Sequence, residues 1–218
     1  MENLNGHFKK ATSKGDFSRR YLGYLSGLLQ GIDPDTISQI IDTIEIAGDN
    51  GKHIYFIGNG GSAAIASHYA NDINVGTRAR GVSPIKATSL TDNLALLTAV
   101  ANDEGYNRVF VSQLEGRLQR GDVVVAFSVS GNSENVLEAL DFAVRQGAIT
   151  IGMTGFDGGR MKDITDIHLH IPTFEGEYGP VEDVFSIVGH LVYTFLKMNR
   201  RGKADLFQLH PLFASEGV

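Results

Sequence analysis

Two histidines and two acidic residues stand at helical spacing on two separate segments of the chain. His68 and Asp72 are four residues apart, and Glu182 and His190 are eight apart. On a helix, residues four apart share a face, and residues eight apart lie within about 80° of each other around the axis. Imidazoles and carboxylates are ligands of Zn²⁺, and they also suit Mn²⁺, Fe²⁺ or Ni²⁺. The spacing therefore indicates a four-coordinate metal site, with a surface His–Asp ion pair as the simpler alternative.

A glycine-rich turn precedes the segment that carries His68. The apolar run 53–57 leads into the turn 58–62, Gly-Asn-Gly-Gly-Ser. In an open parallel sheet, ligands bind beyond the carboxyl ends of the strands, where helix N-termini present unpaired amides. Glycines let the backbone approach an anion closely, and Asn59 and Ser62 can add side-chain hydrogen bonds. The turn predicts an anion site, with a tight turn capped by Ser62 as the alternative.

A second strand-to-helix turn is rich in serine. The run 122–127 enters the turn 128–133, Ser-Val-Ser-Gly-Asn-Ser. Three hydroxyls around a glycine at a helix entrance suit a phosphomonoester, which offers three acceptor oxygens. Neither turn is a Walker loop, because no Gly-Lys-Ser/Thr follows, and the first turn lacks Gly-x-Gly-x-x-Gly. The pair favours a phosphorylated ligand and argues against nucleotide hydrolysis.

Strands and helices must bring these turns to one edge of a sheet. Apolar, β-rich runs alternate with helical patterns after about residue 50, which is typical of a mostly parallel sheet covered on both faces. We predict strands at 53–57, 122–127, 149–153 and 167–171, a further candidate strand at 85–88, and helices near 62–74, 106–119, 133–147 and 181–199. The fold class is therefore a doubly wound α/β sandwich.

Amphipathic helices precede this α/β region, and polar residues follow it. Leucine and isoleucine stripes predict packing helices, the second of which begins at Asp33-Pro34. Residues 1–15 show no pattern, and residues after Lys197 turn polar and are expected to fray. We expect a single domain with N-terminal helices at about 16–50, an α/β core at about 51–200 and a polar tail at about 201–218.

The composition of the 218 residues excludes several classes of function. The chain has no cysteine, so it has no disulfide, no Cys-based zinc site and no thiol nucleophile. A net charge of −6 without a basic block argues against a nucleic-acid surface. No apolar run approaches the roughly 18 residues of a membrane span, and the first residues lack a signal-peptide pattern. We expect a cytoplasmic protein with neither a nucleic-acid nor a membrane partner.

The two turns together resemble those of the SIS (sugar isomerase) family, and its phosphoheptose isomerase branch in particular. The resemblance covers about residues 20–198 and includes Thr91-Asp92-Asn93, Ala101-Asn102-Asp103 and the run 154–159. It implies a three-layer sandwich with a five-stranded parallel sheet flanked by helices, assembled as a homotetramer with active sites at subunit contacts. The family's substrate contacts map onto Asn59, Gly60, Gly61, Asn102, Asp103, Ser128, Val129, Ser130 and Ser133.

The resemblance also implies a divalent metal, zinc, although the ligand set departs from the family's. Phosphoheptose isomerases hold zinc with His, Glu, Gln and His, so His68 and His190 match while Asp72 and Glu182 differ. Asp72 is one methylene shorter, which withdraws its carboxylate by about 1 Å. Glu182, also expected to contact substrate, replaces a neutral ligand with an anion and so favours a divalent cation. Val129 stands where many relatives carry threonine, so only its amide could bind phosphate.

These residues predict an aldose–ketose isomerisation through an enediol, with Asp72 as general base and His190 as acid or base on the oxygens. The family's reaction converts sedoheptulose 7-phosphate to an aldoheptose (glycero-manno-heptose) 7-phosphate. Two alternatives remain: an isomerase of another ketose phosphate, and a non-catalytic SIS adaptor or sugar-phosphate-binding regulator. Because the adaptor type tends to lose the histidine corresponding to His190, its presence beside His68 favours the enzyme.

Overall fold

A five-stranded parallel sheet forms the centre of the fold, as predicted. The computed structural model describes residues 3–208. The strands are β1 (His53–Gly58), β2 (Lys86–Ser89), β3 (Val123–Ser128), β4 (Ile149–Thr154) and β5 (Ile167–His170). They are arranged in the order β2-β1-β3-β4-β5, with every neighbouring pair parallel. The chain therefore reverses its winding direction between β1 and β3, the position where open α/β sheets bind ligands.

Helices cover both faces of this sheet. They are α1 (Leu4–Lys10), α2 (Lys14–Gln30), α3 (Pro34–Asp49), α4 (Gly61–Asn71), α5 (Leu94–Asp103), α6 (Val111–Leu114), α7 (Glu134–Gln146), α8 (Met161–Ile164) and α9 (Tyr178–Gln208). A π-helical turn, Asp72–Gly76, continues α4, and a 3₁₀ turn, Tyr106–Arg108, follows α5. No helix in this described part of the chain combines the length and apolarity that crossing a membrane requires.

The central strand β3 divides its side chains between two hydrophobic cores. Val125 and Phe127 pack in the core that contains α2, α3, α4 and α9, and Val124 and Ala126 pack in the core that contains α6 and α7. Successive residues of a strand point to opposite faces, so a strand buried on both faces is apolar throughout. This burial explains why the sequence of β3 lacks polar alternation.

The prediction of a helix at 106–119 is wrong. The helix in this region is α5, which begins earlier and is capped by Asn93, whose side chain accepts a hydrogen bond from the Leu96 amide. Gly105 has a φ of +103° and Gly116 a φ of +74°. Because both glycines adopt a conformation that interrupts a helix, only the 3₁₀ turn and the single-turn α6 form between them.

The patternless N-terminal segment also forms a helix. Asn3 caps α1 by accepting a hydrogen bond from the Gly6 amide at 2.9 Å. The amide of Leu4 donates to Oε1 of Glu177 at 2.6 Å, and the hydroxyl of Tyr24 donates to Oε2 of the same carboxylate at 2.5 Å. The carboxylate of Glu177 therefore holds α1 in place. Residues 1–15 contain no local pattern from which this contact could be predicted.

The predicted fraying after Lys197 is wrong as far as residue 208, because α9 continues through it. Arg200 is fully buried there, and its guanidinium donates to the carbonyl oxygens of Thr77 and Ser83 and pairs with Asp49. Burial of this side chain requires an ordered helix at residue 200. The rest of the predicted tail lies outside the described residues.

Candidate functional site

The glycine turn and the serine turn lie side by side at the carboxyl edge of the sheet. β1 and β3 are neighbours, and Gly58 at the end of β1 pairs with Phe127 near the end of β3. The two turns therefore begin next to each other at the carboxyl edge, between β1 and β3, where the chain reverses its winding direction. This arrangement brings the predicted contacts in 59–62 and 128–133 to one place.

The helices that follow both turns begin without a side-chain cap. Gly60 precedes α4 and Ser133 precedes α7, and neither helix start has a side-chain cap hydrogen bond. In contrast, Ser13, Asp33 and Asn93 cap α2, α3 and α5. Uncapped first-turn amides and the helix dipole favour an anion at both starts.

Within the serine turn, two of the three serine hydroxyls face each other. Oγ of Ser128 lies 3.2 Å from Oγ of Ser133, which accounts for the missing cap on α7. Oγ of Ser130 accepts a hydrogen bond from the Asn132 amide at 3.3 Å. The side chain of Val129 is buried. Ser128, Ser130 and Ser133 thus place three hydroxyls in one turn, while Val129 contributes packing.

The loop after β4 is joined to the serine turn by backbone hydrogen bonds. The Gly155 amide donates to the Val129 carbonyl at 2.8 Å, and the Met161 amide donates to the Gly131 carbonyl at 3.0 Å. Gly131 has a φ of +65°, and a Cβ there would lie 2.1 Å from the carbonyl oxygen of Gly158. Only glycine at position 131 permits this backbone contact, so the loop and the turn form one unit.

The Asn59 side chain is held by two residues that the sequence analysis did not assign to the site. Asn59 and Asn135 exchange two amide hydrogen bonds of 2.9 Å each. The hydroxyl of Tyr106 donates to Oδ1 of Asn59 at 2.8 Å. Tyr106 follows closely on Asn102 and Asp103, two exposed residues at the end of α5 whose side chains bond to each other at 2.7 Å.

Three of the four predicted metal ligands form one cluster. Oδ2 of Asp72 lies 3.4 Å from Nε2 of His68 and 3.9 Å from Nε2 of His190. The candidate ligand atoms of the three residues all lie within 4.8 Å of one another. Both histidines are about half exposed, while Asp72 is largely buried. Asp72 also opens the π-helical turn, a distortion often found at functional sites.

The cluster forms because α4 and α9 pack closely along their length. A Cβ at Gly189 would lie 2.2 Å from the Tyr69 ring, and a Cβ at Gly76 would lie 2.1 Å from the Tyr193 ring. Glycine at both positions lets the helices approach, and this contact places His190 next to the end of α4.

Glu182 lies apart from this cluster. A Cβ added at Gly61 would lie 2.3 Å from Oε2 of Glu182, so the carboxylate packs against the start of α4. Eight residues of helix separate Glu182 from His190, a rise of about 12 Å. Burial, and then the neighbouring charge of Asp183, raise the pKa of Glu182. Within one chain, Glu182 therefore stands beside the glycine turn and away from the histidines.

Comparisons with known proteins agree with this architecture. The family model described as SIS domain matches residues 20–155. A phosphoheptose isomerase of Nitratiruptor sp. is 39% identical over 147 residues, covering 67% of this chain and 77% of that protein. A probable phosphoheptose isomerase of Thermoplasma acidophilum is 35% identical over 181 residues, covering 83% of this chain and 94% of that protein.

A solved structure supports the same assignment. The phosphoheptose isomerase GmhA from Neisseria gonorrhoeae superposes with a TM-score of 0.70 at 27% identity, covering 83% of this chain and 93% of that chain. The sequence motifs, the sheet order and these relatives agree. The chain belongs to the SIS-domain family and, within it, to the phosphoheptose isomerases.

Proposed function

We propose that this protein is an aldose–ketose isomerase that converts sedoheptulose 7-phosphate into glycero-manno-heptose 7-phosphate. The observation that carries the proposal is the 3.9 Å distance between Oδ2 of Asp72, at the end of the helix α4 that follows the glycine turn, and Nε2 of His190 on α9. The helix α4 thereby runs from an anion site to Asp72, and α9 brings His190 beside it, so that two groups able to move protons face the same place.

The distance between these two parts suits a seven-carbon substrate. His68 is seven residues from Gly61 along α4, a rise of about 10 Å. The six C–C bonds of an extended heptose span about 8 Å, and the phosphate ester adds about 2–3 Å. A phosphate at the turns would therefore leave C1 and C2 beside the histidine cluster.

The proposed chemistry moves one hydrogen from C1 to C2 and one from O1 to O2, and it transfers the carbonyl double bond from C2 to C1. Asp72 removes a proton from C1 of the ketose, and the electron pair forms the C1–C2 double bond of an enediolate while O2 becomes an alkoxide. His190 donates a proton to O2 and then accepts the proton from O1 as the C1 carbonyl forms, and the protonated Asp72 returns its proton to C2, which restores both residues. The carboxylate and imidazole are close enough to reach neighbouring atoms of one bound molecule.

The histidine cluster also suits a divalent cation, and we propose zinc. His68, Asp72 and His190 would hold it in the resting enzyme, since two imidazoles and a carboxylate are the ligands of many catalytic zinc sites. Asp72 or His190 would have to leave the metal before it could act as base or acid. A bound divalent cation there would supply Lewis-acid stabilisation of negative charge on the substrate oxygens. Glu182 belongs to the substrate side in this proposal, because its carboxylate packs against Gly61.

We further propose a homotetramer, with the histidine cluster near a subunit contact. α9 exposes an apolar stripe on the same helix as His190, and its members are Ile187, Leu191, Phe195 and Met198. Four large apolar side chains on one face favour burial against a second copy. Analytical ultracentrifugation should give four times the 23.6 kDa chain mass. A cytoplasmic location remains part of the proposal because a chain without cysteine suits a reducing compartment.

The test is turnover of sedoheptulose 7-phosphate in D₂O, followed by proton NMR. We expect an aldoheptose 7-phosphate that carries deuterium at C2, because the proton returned to C2 exchanges with solvent. H190A and D72N should lose activity by at least about 10²-fold. D141N, which changes an exposed aspartate on α7, should retain it.

Each alternative predicts a different result in the same assay. Binding of the sugar phosphate without any product would favour a non-catalytic sensor. Faster conversion of ribulose 5-phosphate or fructose 6-phosphate would favour an isomerase with another ketose substrate. Full activity of H190A would remove that residue from the mechanism.

A further inference from the structure

We propose that Tyr106 and Asn135 are positioning residues, which fix the side-chain amide of Asn59 for contact with the bound sugar phosphate. The inference rests on the proposed function and on the substrate contact at Asn59 that the resemblance to the phosphoheptose isomerases implies. Neither Tyr106 nor Asn135 touches the histidine cluster, so both would act through Asn59.

The hydrogen bonds at Asn59 leave one donor for a ligand. A side-chain amide has two N–H donors and an oxygen that accepts two hydrogen bonds. The oxygen of Asn59 accepts from Asn135 and from the Tyr106 hydroxyl, and one of its N–H groups donates to Asn135. The remaining N–H has no partner among the described residues. The network therefore fixes the plane of the amide and presents one polarised donor.

The same network joins the three segments that carry the predicted substrate contacts. Asn59 belongs to the glycine turn, Asn135 to the first turn of α7 behind the serine turn, and Tyr106 to the 3₁₀ turn just after Asp103. Asn135 is only 3% exposed, so its amide has no water to exchange with. A reciprocal amide pair whose Asn135 side is buried links the two anion turns.

Stability alone does not account for the contact of Tyr106. Its side chain is 61% exposed, so its ring adds little apolar burial. The neighbouring Asn107 already ties the 3₁₀ turn to α7 through a hydrogen bond of 2.6 Å to Oε1 of Glu138. The distinctive effect of the Tyr106 hydroxyl is to occupy the second acceptor position on Asn59.

The experiment measures binding of a ligand that cannot react. Reduction of sedoheptulose 7-phosphate gives a heptitol 7-phosphate, which lacks the carbonyl and cannot isomerise, and calorimetry gives its Kd. We expect Y106F to raise this Kd by about 3- to 10-fold, the effect of one hydrogen bond. KM for the substrate should rise by the same factor with kcat nearly unchanged. N107A, which frees the same 3₁₀ turn from α7, should leave both values at the parent level.

A double-mutant cycle separates positioning from an independent contact. In an N59A background, Y106F should produce no further loss, because the residue through which it acts is gone. The proposal is overturned if Y106F binds like the parent, if N107A loses as much as Y106F, or if Y106F weakens binding equally in the N59A background. Failure of the parent protein to bind the heptitol phosphate would also overturn it. If the parent binds the heptitol phosphate but does not turn over sedoheptulose 7-phosphate, the proposed isomerase activity is refuted. The role of Tyr106 is then still decided by the Kd of each variant relative to that of the parent.

Discussion

Replacing Gly131 with alanine tests how firmly the serine turn is tied to the loop behind it. Gly131 has a φ of +65°, and the added Cβ would lie 2.1 Å from the Gly158 oxygen and 2.7 Å from its carbonyl carbon. Both neighbours are backbone atoms, so no side chain can rotate away. The loop after β4 and the turn would have to separate.

Two terms set the expected loss of stability. An alanine forced into the left-handed region costs about 1–2 kcal/mol. Overpacking against the backbone adds about 1–3 kcal/mol, which gives a total of about 2–5 kcal/mol. Gly147 provides a matched control, because its φ is +74° but the nearest atom to an added Cβ is the flexible Arg120 Cγ at 3.3 Å. G147A should therefore lose only the conformational term, about 1–2 kcal/mol.

Urea unfolding of the two variants measures this difference directly. G131A should show the lower midpoint at unchanged slope, since compactness of the unfolded state is the same. Calorimetry with the heptitol phosphate should show weakened binding in G131A and parent-like binding in G147A. Equal destabilisation of the two variants, or unaltered ligand affinity in G131A, would refute the idea that the turn and the loop act as one unit.

Three further predictions concern stability under other perturbations. R200M should lower the free energy of unfolding by about 2–4 kcal/mol, because it leaves buried carbonyl partners unsatisfied; a parent-like urea midpoint would contradict this. Burial lowers the pKa of His53 and of His168 from 6.5. The unfolded chain then binds more protons, so stability should fall as the pH drops below 6.5, and H168N should flatten that fall in urea titrations at pH 5 to 7. In thermal unfolding, Zn²⁺ at about 100 times its Kd should stabilise the parent by about 2.7 kcal/mol and leave the stability of H68A unchanged. An equal gain in stability for both proteins would place the metal at another site.

The strands could be predicted from the sequence to within about a residue at each end. Runs such as 122–127 are buried on both faces, so their apolar character is continuous and bounded by polar turns. The helix α5 was missed because the later segment 106–119 carries a similar apolar pattern, which Gly105 precedes and Gly116 interrupts, both with positive φ. The helix α1 depends on Glu177, a residue more than 170 positions away. Local spacing contains no information about such a contact.

The candidate site was predictable where one helix supplied the spacing. His68 and Asp72 lie four residues apart, His190 was indicated by its spacing from Glu182, and the resemblance to a known family supported both histidines. The position of Glu182 depends instead on how α4 packs against α9, which brings it to Gly61 and away from the histidines. The link between Asn59 and Asn135 depends on the pairing of β1 with β3. The position of Glu182 and the Asn59–Asn135 link both depend on how distant segments pack together, and the spacing of residues within one motif contains no information about that packing.

Because α4 and α9 are in close contact, the distance between their backbones sets how far His190 lies from His68 and Asp72. The Tyr69 ring fills the space that any larger residue at Gly189 would need, and its hydroxyl is fixed by the Phe185 carbonyl at 2.6 Å. Since interiors are close-packed, a methyl group at that point would part the helices and draw His190 away from its neighbours. The distance between the two helices therefore sets the space available to any ion that His68, Asp72 and His190 would hold.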